Sequence, residues 1–274
     1  ELIYKIIEHP YFQRLRRISQ LGLSYLVYPG AHHTRFHHAI GAMHLMQKAI
    51  QVLKNKNIKI TFEEEEALLI AILLHDIGHG PFSHALEHSL VKNISHEKIS
   101  IQFMRELNRI FKNKLSLAIK IFQNKYKKKY LYELISSQID VDRLDYLNRD
   151  SFYSGVAEGI VNSTRIIDMY NVHKGKLVLD YKGLYTIEKF LLSRKLMYLQ
   201  VYMHKTVLSA EHTLMNILKR AKDLSHKKIK IFTTNNLKKF LNDEIDMNNE
   251  KYLVENLNYF SHLDDYDIMI SIKE

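Results

Sequence analysis

The densest run of reactive side chains is His75-Asp76-Ile77-Gly78-His79-Gly80-Pro81-Phe82-Ser83-His84. Of the 16 histidines, 11 fall between His9 and His96, a clustering that surface decoration does not explain. Consecutive His and Asp residues at the frayed end of an apolar helix point about 100° apart on the helical wheel. They still converge on one ion, because imidazole reaches further than a short carboxylate. Taken alone, His75-Asp76 reads as a buried, satisfied histidine beside an N-capping aspartate. Two further groups shift the balance toward chemistry: Arg35-Phe36-His37-His38-Ala39-Ile40-Gly41, and the acidic cluster Gln138-Ile139-Asp140-Val141-Asp142-Arg143-Leu144-Asp145-Tyr146 within an apolar helical pattern. Gly41 and the run Ile70 to Leu74 are read as packing.

Positioning these groups falls to helices. Phe12, Leu15 and Ile18 give a short helix from Tyr11 to Leu21, with Gly22 to stop it. Pro29-Gly30 marks a turn. Thr34 offers an N-cap for a helix carrying Phe36, Ile40, Met43 and Met46. Thr61 with Glu64 forms a capping box for the apolar helix Phe62 to Leu74, which ends near Gly78-His79-Gly80-Pro81. A short helix is expected from Phe82 to Val91, another after Ser95, weaker ones across Leu115 to Gln138, and one over Asp140 to Asp150. The alternation after Lys174-Gly175-Lys176 predicts a small β-hairpin arm near 174–181. One long helix is expected from about Leu184 to Leu224. The fold class is therefore all-α with one hairpin, arranged as a core over 1–224 and a C-terminal segment over 225–274.

Composition narrows the function classes. The 274 residues include only 3 Pro and 9 Gly, which disfavours turn-rich all-β folds. Cysteine is absent, excluding disulfides and thiolate centres, so any metal must bind through His, Asp or Glu. No apolar run approaches the roughly 20 residues of a membrane span, and no signal peptide opens the chain. A soluble cytoplasmic protein without a membrane partner is expected. Because the chain begins at Glu1, it is expected to be a trimmed fragment. The formal net charge of +10 resides mostly in scattered Lys, concentrated at Lys125 to Lys129 and Lys219 to Lys239. That distribution fits a solvated surface or a polyanionic partner.

The order of one His, a His-Asp pair and a distant Asp resembles the HD superfamily of metal-dependent phosphohydrolases. Phe12-Gln13-Arg14-Leu15-Arg16, Gln20-Leu21-Gly22, Pro29-Gly30-Ala31, Arg35-Phe36, His75 to His84 and Asp140 to Asp150 together resemble its branch that hydrolyses deoxynucleoside triphosphates. The resemblance spans roughly Tyr11 to Lys205 and is absent over the last fifty residues. It implies that His38, His75, Asp76 and Asp142 bind one divalent ion. Four N/O ligands without sulfur suit Mn, Fe, Mg, Ni or Zn. It further implies water attack at the α-phosphorus, releasing a deoxynucleoside and tripolyphosphate.

The leaving 5′ oxygen needs a proton, and an imidazole is the natural donor. The resemblance puts His84 at this end of the α-phosphate, His79 against the same phosphate, and His96 as a further catalytic histidine paired with a carboxylate. Here that carboxylate is Glu87, one methylene longer than the family's aspartate. Helix-end capping is the alternative for His79 and His84. For the substrate, the resemblance assigns Arg35 and Arg143 to phosphates, with Arg143 replacing the family's lysine by a planar fork. It assigns Gln20 and Leu21 to sugar and base, and Tyr146 and Asp150 to the 3′ hydroxyl, the Tyr146 ring also excluding ribose. Arg194, Tyr198 and Tyr202 recur at i, i+4 and i+8 as a triphosphate and base stripe; Tyr198 stands where the family has histidine. Core packing is the alternative for both tyrosines.

Relatives in this family are oligomers, some activated by nucleotides between subunits, and Arg16 and His204 lie near positions they use. A homo-oligomer, with a nucleotide effector or single-stranded nucleic acid as a further partner, is therefore implied. Two other functions fit the motifs. One is an HD phosphohydrolase acting on a nucleoside monophosphate or cyclic nucleotide. The other is a non-enzymatic single-stranded nucleic-acid binder.

Overall fold

A computed structural model describes residues 1–82, 95–242 and 253–274. Among the described residues its regular elements are helices, with one two-stranded antiparallel hairpin. The chain divides into two compact units, one of residues Glu1–Phe36, Asp76–Glu106 and His204–Glu274, the other of His37–His75 and Leu107–Met203.

The first unit opens with α1 (Leu2–Glu8) and α2 (Pro10–Gln13), followed by a 3-10 turn over Arg14–Arg17. The helix expected from Tyr11 to Leu21 therefore stops earlier. Ile18 is extended, and Ser19 pairs with Thr34 in a β-bridge, so the backbone groups after Arg17 bond across to residues 33–35 instead of along a helix. Helix α5 (His96–Ile110) turns Ile99 and Phe103 inward. The remaining elements are α11 (Lys205–His226), α12 (Asn235–Leu241), α13 (Leu253–His262) and α14 (Asp265–Lys273). Asp264 caps α14 in a reciprocal box with Asp267.

At the centre of this unit lies Arg14, 1% exposed. Its Nη2 donates to the carbonyls of Ile77 and His79 at 2.8 and 2.6 Å. The guanidinium also lies over the rings of Phe103 and Phe260, 5.5 and 4.9 Å from their centroids. Burial lowers its pKa to about 9, so it still carries its charge at neutral pH.

The second unit contains most of α3 (Arg35–Asn55). Its inward stripe is His38, Ala39, Ala42, Met46, Ala49, Ile50 and Leu53, while Phe36, Ile40 and Met43 sit half-buried at its edge. Small alanines on the inner face let neighbouring backbones approach. Helix α4 (Phe62–Leu73) begins at Thr61, whose capping box with Glu64 forms as expected. Glu64 also accepts from Tyr126 and Lys128 at 2.8 and 2.7 Å. Then come α6 (Ser116–Phe122), α7 (Lys129–Ile135), α8 (Val141–Ser154) and α9 (Ser163–Asp168).

The hairpin is formed by β1 (Tyr170–His173) and β2 (Lys176–Leu179), in register Tyr170↔Leu179 to His173↔Lys176. It begins four residues before the expected span, because Lys174-Gly175 forms the tip and not the entry. Both tip residues have positive φ, the backbone that matches the twist of the flanking strands. The long helix expected over 184–224 is interrupted. Helix α10 (Leu184–Met197) passes into a π-helical turn at Tyr198–Tyr202, and α11 restarts at Lys205 behind the cap of His204. The helix expected at Phe82 to Val91 lies outside the described residues except for Phe82.

Candidate metal centre

Two imidazoles and a carboxylate converge in the second unit. His38 comes from the buried stripe of α3, His75 from the turn after α4, and Asp142 from the first turn of α8. His38 Nε2 lies 3.0 Å from Asp142 Oδ1, His75 Nε2 lies 3.4 Å from the same oxygen, and the two nitrogens are 3.3 Å apart. Ligands held about 2.1 Å from one ion lie roughly 3.0–3.4 Å from each other, between the right angles of an octahedron and tetrahedral angles. These donors therefore already have the spacing an ion requires, and their all-N/O chemistry fits a divalent metal.

The tautomers are arranged for the same purpose. His75 Nδ1 donates to the carbonyl of Ile72 at 2.6 Å, which directs Nε2 toward Asp142. His38 Nδ1 lies 2.8 Å from Asp145 Oδ2, which can only accept. Burial pushes the His38 pKa down, but hydrogen bonds with Asp142 and Asp145 outweigh it and raise the pKa to about 10. Burial pushes Asp142 up, and its bonds to His38 and His75 outweigh that and hold it well below the usual carboxylate range. Without a metal, then, a proton on His38 Nε2 occupies the position that the ion would take.

The residues behind His38 were not singled out in the sequence. Asp145 is clamped by Arg149, whose Nε and Nη2 each reach one carboxylate oxygen at 2.8 Å. A Cβ on Gly41 would lie 2.0 Å from Arg149 Nη2 and 2.1 Å from Asp145 Oδ1. Gly41 is therefore more than packing: it vacates the space that this ion pair fills. The available signal was the spacing of Asp145 and Arg149, four residues apart on the same helix face as Asp142.

Asp140 caps α8, accepting from the backbone N–H of Arg143 and Ser137 at 2.8 and 2.7 Å. Burial and the charge of Asp142 raise its pKa to about 7. Arg143 Nη1 also donates to Asp140, while Arg143 Nε is buried with no hydrogen-bond partner among the described residues. Farther along α8, the Tyr146 ring stands 6.4 Å from the His38 ring and 6.1 Å from that of Tyr202. Tyr202 donates its hydroxyl to Asp150 at 2.8 Å. Burial pushes both phenols up, so they stay neutral hydrogen-bonding groups. Arg194 lies over the Tyr198 ring, 5.7 Å from its centroid, and that ring meets Tyr202 edge-on at 5.0 Å. Tyr198 is 41% exposed, which rules out core packing for it.

The first unit carries a second cluster beginning at Asp76, one peptide bond after His75. Asp76, His79 and His96 each offer a ligand atom, and these atoms lie within 4.8 Å of one another. Arg35 Nη1 donates to Asp76 Oδ2, and His79 Nε2 is 3.4 Å from Asp76 Oδ1. The rings of His79 and His96 stack 3.9 Å apart. Burial, followed by the charge of Arg35, lowers the His79 pKa to about 3. His79 is thus a neutral hydrogen-bonding group here. A Cβ on Gly78 would lie 2.2 Å from the carbonyl oxygen of His96, so glycine lets α5 begin directly over this loop. Gln20 and Leu21 are half-buried in the same unit, and Gln20 Oε1 is buried without a hydrogen-bond partner among the described residues. His84 and Glu87 lie outside the described residues.

The family profile of the HD domain matches residues 35–150, and that of the HD associated region matches 161–253. The crystal structure of a phosphohydrolase from Bacteroides thetaiotaomicron superposes on the whole chain with a TM-score of 0.96; it is 49% identical, and 68% of its length is covered. An uncharacterized protein of Bacillus subtilis is 38% identical over 85% of this chain and 55% of its own length. A Dictyostelium discoideum homologue of the deoxynucleoside triphosphate triphosphohydrolase SAMHD1 is 31% identical over 77% of this chain and 45% of its own length. The chain thus spans about half the length of these two curated relatives. Among the described residues, no helix is long and apolar enough to cross a membrane.

Proposed function

The chain belongs to the HD-domain family of metal-dependent phosphohydrolases, and from that premise we propose that it hydrolyses deoxynucleoside triphosphates to deoxynucleoside and tripolyphosphate. The observation that supports the reading is the set of groups sharing a unit with His38, His75 and Asp142: Arg143 Nε is buried without a hydrogen-bond partner among the described residues, Arg194 lies over the Tyr198 ring, and Tyr146 packs against Tyr202, which bonds Asp150. Two arginines and flat rings beside a metal site suit a nucleotide carrying several phosphates.

In this reading His38, His75, Asp76 and Asp142 hold one divalent ion. When bound, the ion supplies positive charge to the phosphoryl group under attack and lowers the pKa of water. The chain's own residues do the rest. Arg35, Arg143 and Arg194 hold phosphate oxygens. The neutral His79 hydrogen-bonds the same phosphate, and His96 steadies its ring. His84 is the proton donor to the departing 5′ oxygen, and Glu87 is the carboxylate partner of His96. Tyr146 and Asp150 enclose the sugar's 3′ side, while Gln20, Leu21, Tyr198 and Tyr202 face the sugar and base. Each assignment restricts the substrate's freedom before reaction, which is how positioning lowers a barrier.

A homo-oligomer belongs to the same reading. Leu184, Tyr185, Leu191, Leu192 and Leu199 stay exposed along one side of helix α10 and its π-helical extension. A helix of that kind calls for a covering partner. Glu188 and Lys195 on that side give complementary charges for an antiparallel second copy.

The test is product identification with each of the four deoxynucleoside triphosphates, using metal-loaded protein. Tripolyphosphate is expected, and orthophosphate would instead favour hydrolysis of another phosphate ester. The Asp142→Ala variant should lose the metal and all turnover while keeping its helical content, and full hydrolysis by it would refute the site.

A further inference from the structure

One carboxylate near the end of the described chain bridges two loops that are remote in sequence. Asp265 Oδ1 accepts the backbone N–H of Phe82 at 2.9 Å, and Oδ2 accepts that of Ser19 at 2.8 Å. These bonds span 183 and 246 residues, and all three residues belong to one unit. Ser19 leads directly into Gln20 and Leu21. Phe82 closes the loop that starts at Asp76 and carries His79.

We propose that Asp265 is a positioning residue: by bridging both amides, it keeps the Gln20–Leu21 loop and the His79 loop in register with each other. The proposal rests on the substrate reading of those loops given above.

Three features support it. First, the Ser19 N–H is directed away from the local ladder. Gln20 N–H bonds the carbonyl of His33 and Arg35 N–H that of Ile18, each at 3.0 Å, so the Ser19 amide is left to Asp265. Second, Phe82 has φ of +46°, a left-handed backbone that a bulky side chain adopts only when its surroundings impose it. The Asp265 bond at its amide is such a constraint. Third, the neighbouring residues brace the same segments. Arg17 bonds Asp264, and Arg14 rests on Phe260 while it holds the Ile77 and His79 carbonyls. The turn over residues 260–265 therefore contacts these loops through their backbone. None of the substrate-contacting side chains named above belongs to it.

Asp265→Asn tests this directly. An amide offers one acceptor oxygen, and its NH2 faces a donor, so one of the two bonds is lost at nearly constant volume. The variant should keep the metal content and cooperative melting of the wild type. Amide hydrogen exchange at Ser19–Leu21 and at His79–Phe82 should accelerate at least tenfold. Turnover of the best deoxynucleoside triphosphate should fall at least tenfold in kcat with a rise of about threefold in KM. Asp265→Glu, which keeps both acceptors, should recover part of each effect, and it serves as the main variant if the asparagine form does not fold. Unchanged exchange would overturn the bridge, and faster exchange with kcat and KM within twofold of wild type would overturn the positioning role. A wild-type protein inactive on every deoxynucleoside triphosphate would sink the substrate reading, while the exchange comparison still decides the bridge.

Discussion

Asp145 and His38 form a buried pair in which the carboxylate, 2.8 Å from Nδ1, fixes the imidazole with Nε2 directed at Asp142. Arg149 locks the carboxylate from the other side. An imidazole oriented in this way is a stronger and better-aimed ligand than a free one.

We predict that Asp145→Asn weakens divalent metal binding about 10- to 100-fold without unfolding the protein. Gly41→Ala should act similarly by driving the Asp145–Arg149 pair apart. Titration with Mn, followed by metal analysis of the dialysed proteins, checks both. An affinity equal to wild type in Asp145→Asn would show that His38 needs no such support.

Metal binding should release a proton. The folded His38 pKa of about 10 lies above its ordinary value, so the charged imidazole stabilises the metal-free protein at low pH, and that contribution is lost as pH rises through the folded value. An ion competes with the same proton. Its apparent affinity should therefore increase with pH up to about 10, by about tenfold per unit where one proton is displaced. Asp142, held low, is already ionised and adds no second proton. Calorimetry in buffers of different ionisation enthalpy counts the proton, and a count of zero near pH 7.5 would contradict the assignment.

In the deoxynucleotide reading proposed above, Tyr146 selects the sugar. It lies one turn after Asp142 on α8 and packs edge-on against Tyr202. Tyr146→Ala should raise hydrolysis of GTP relative to dGTP by about tenfold, in the range that steric pocket discrimination supplies. An unchanged ratio would remove Tyr146 from that role.

Helix capping was legible in the sequence because it depends on adjacent residues. Thr61 with Glu64 and the helical placement of Asp142 need only local rules. What sequence reading missed depends on space. Nothing in the letter Gly41 says that an aspartate and an arginine a hundred residues later will fill the gap beside it. The early end of the Arg14–Arg17 turn likewise reflects a bridge from Ser19 to Thr34, a pairing between positions that periodicity treats as unrelated. Asp265 was invisible for a further reason: its two partners are backbone amides, which leave no trace in residue identity.

The π-helical turn at Tyr198–Tyr202 has a consequence for length variation. Such a turn accommodates one residue beyond the α-helical count. Deleting one residue ahead of Tyr202 would let the backbone close into plain α-helix at little local cost, and because the wider turn only absorbs an extra residue, those beyond it would keep their faces. Tyr202 would then still reach Asp150. The turn is thus a place where the chain can shorten by one residue without disturbing that buried pair.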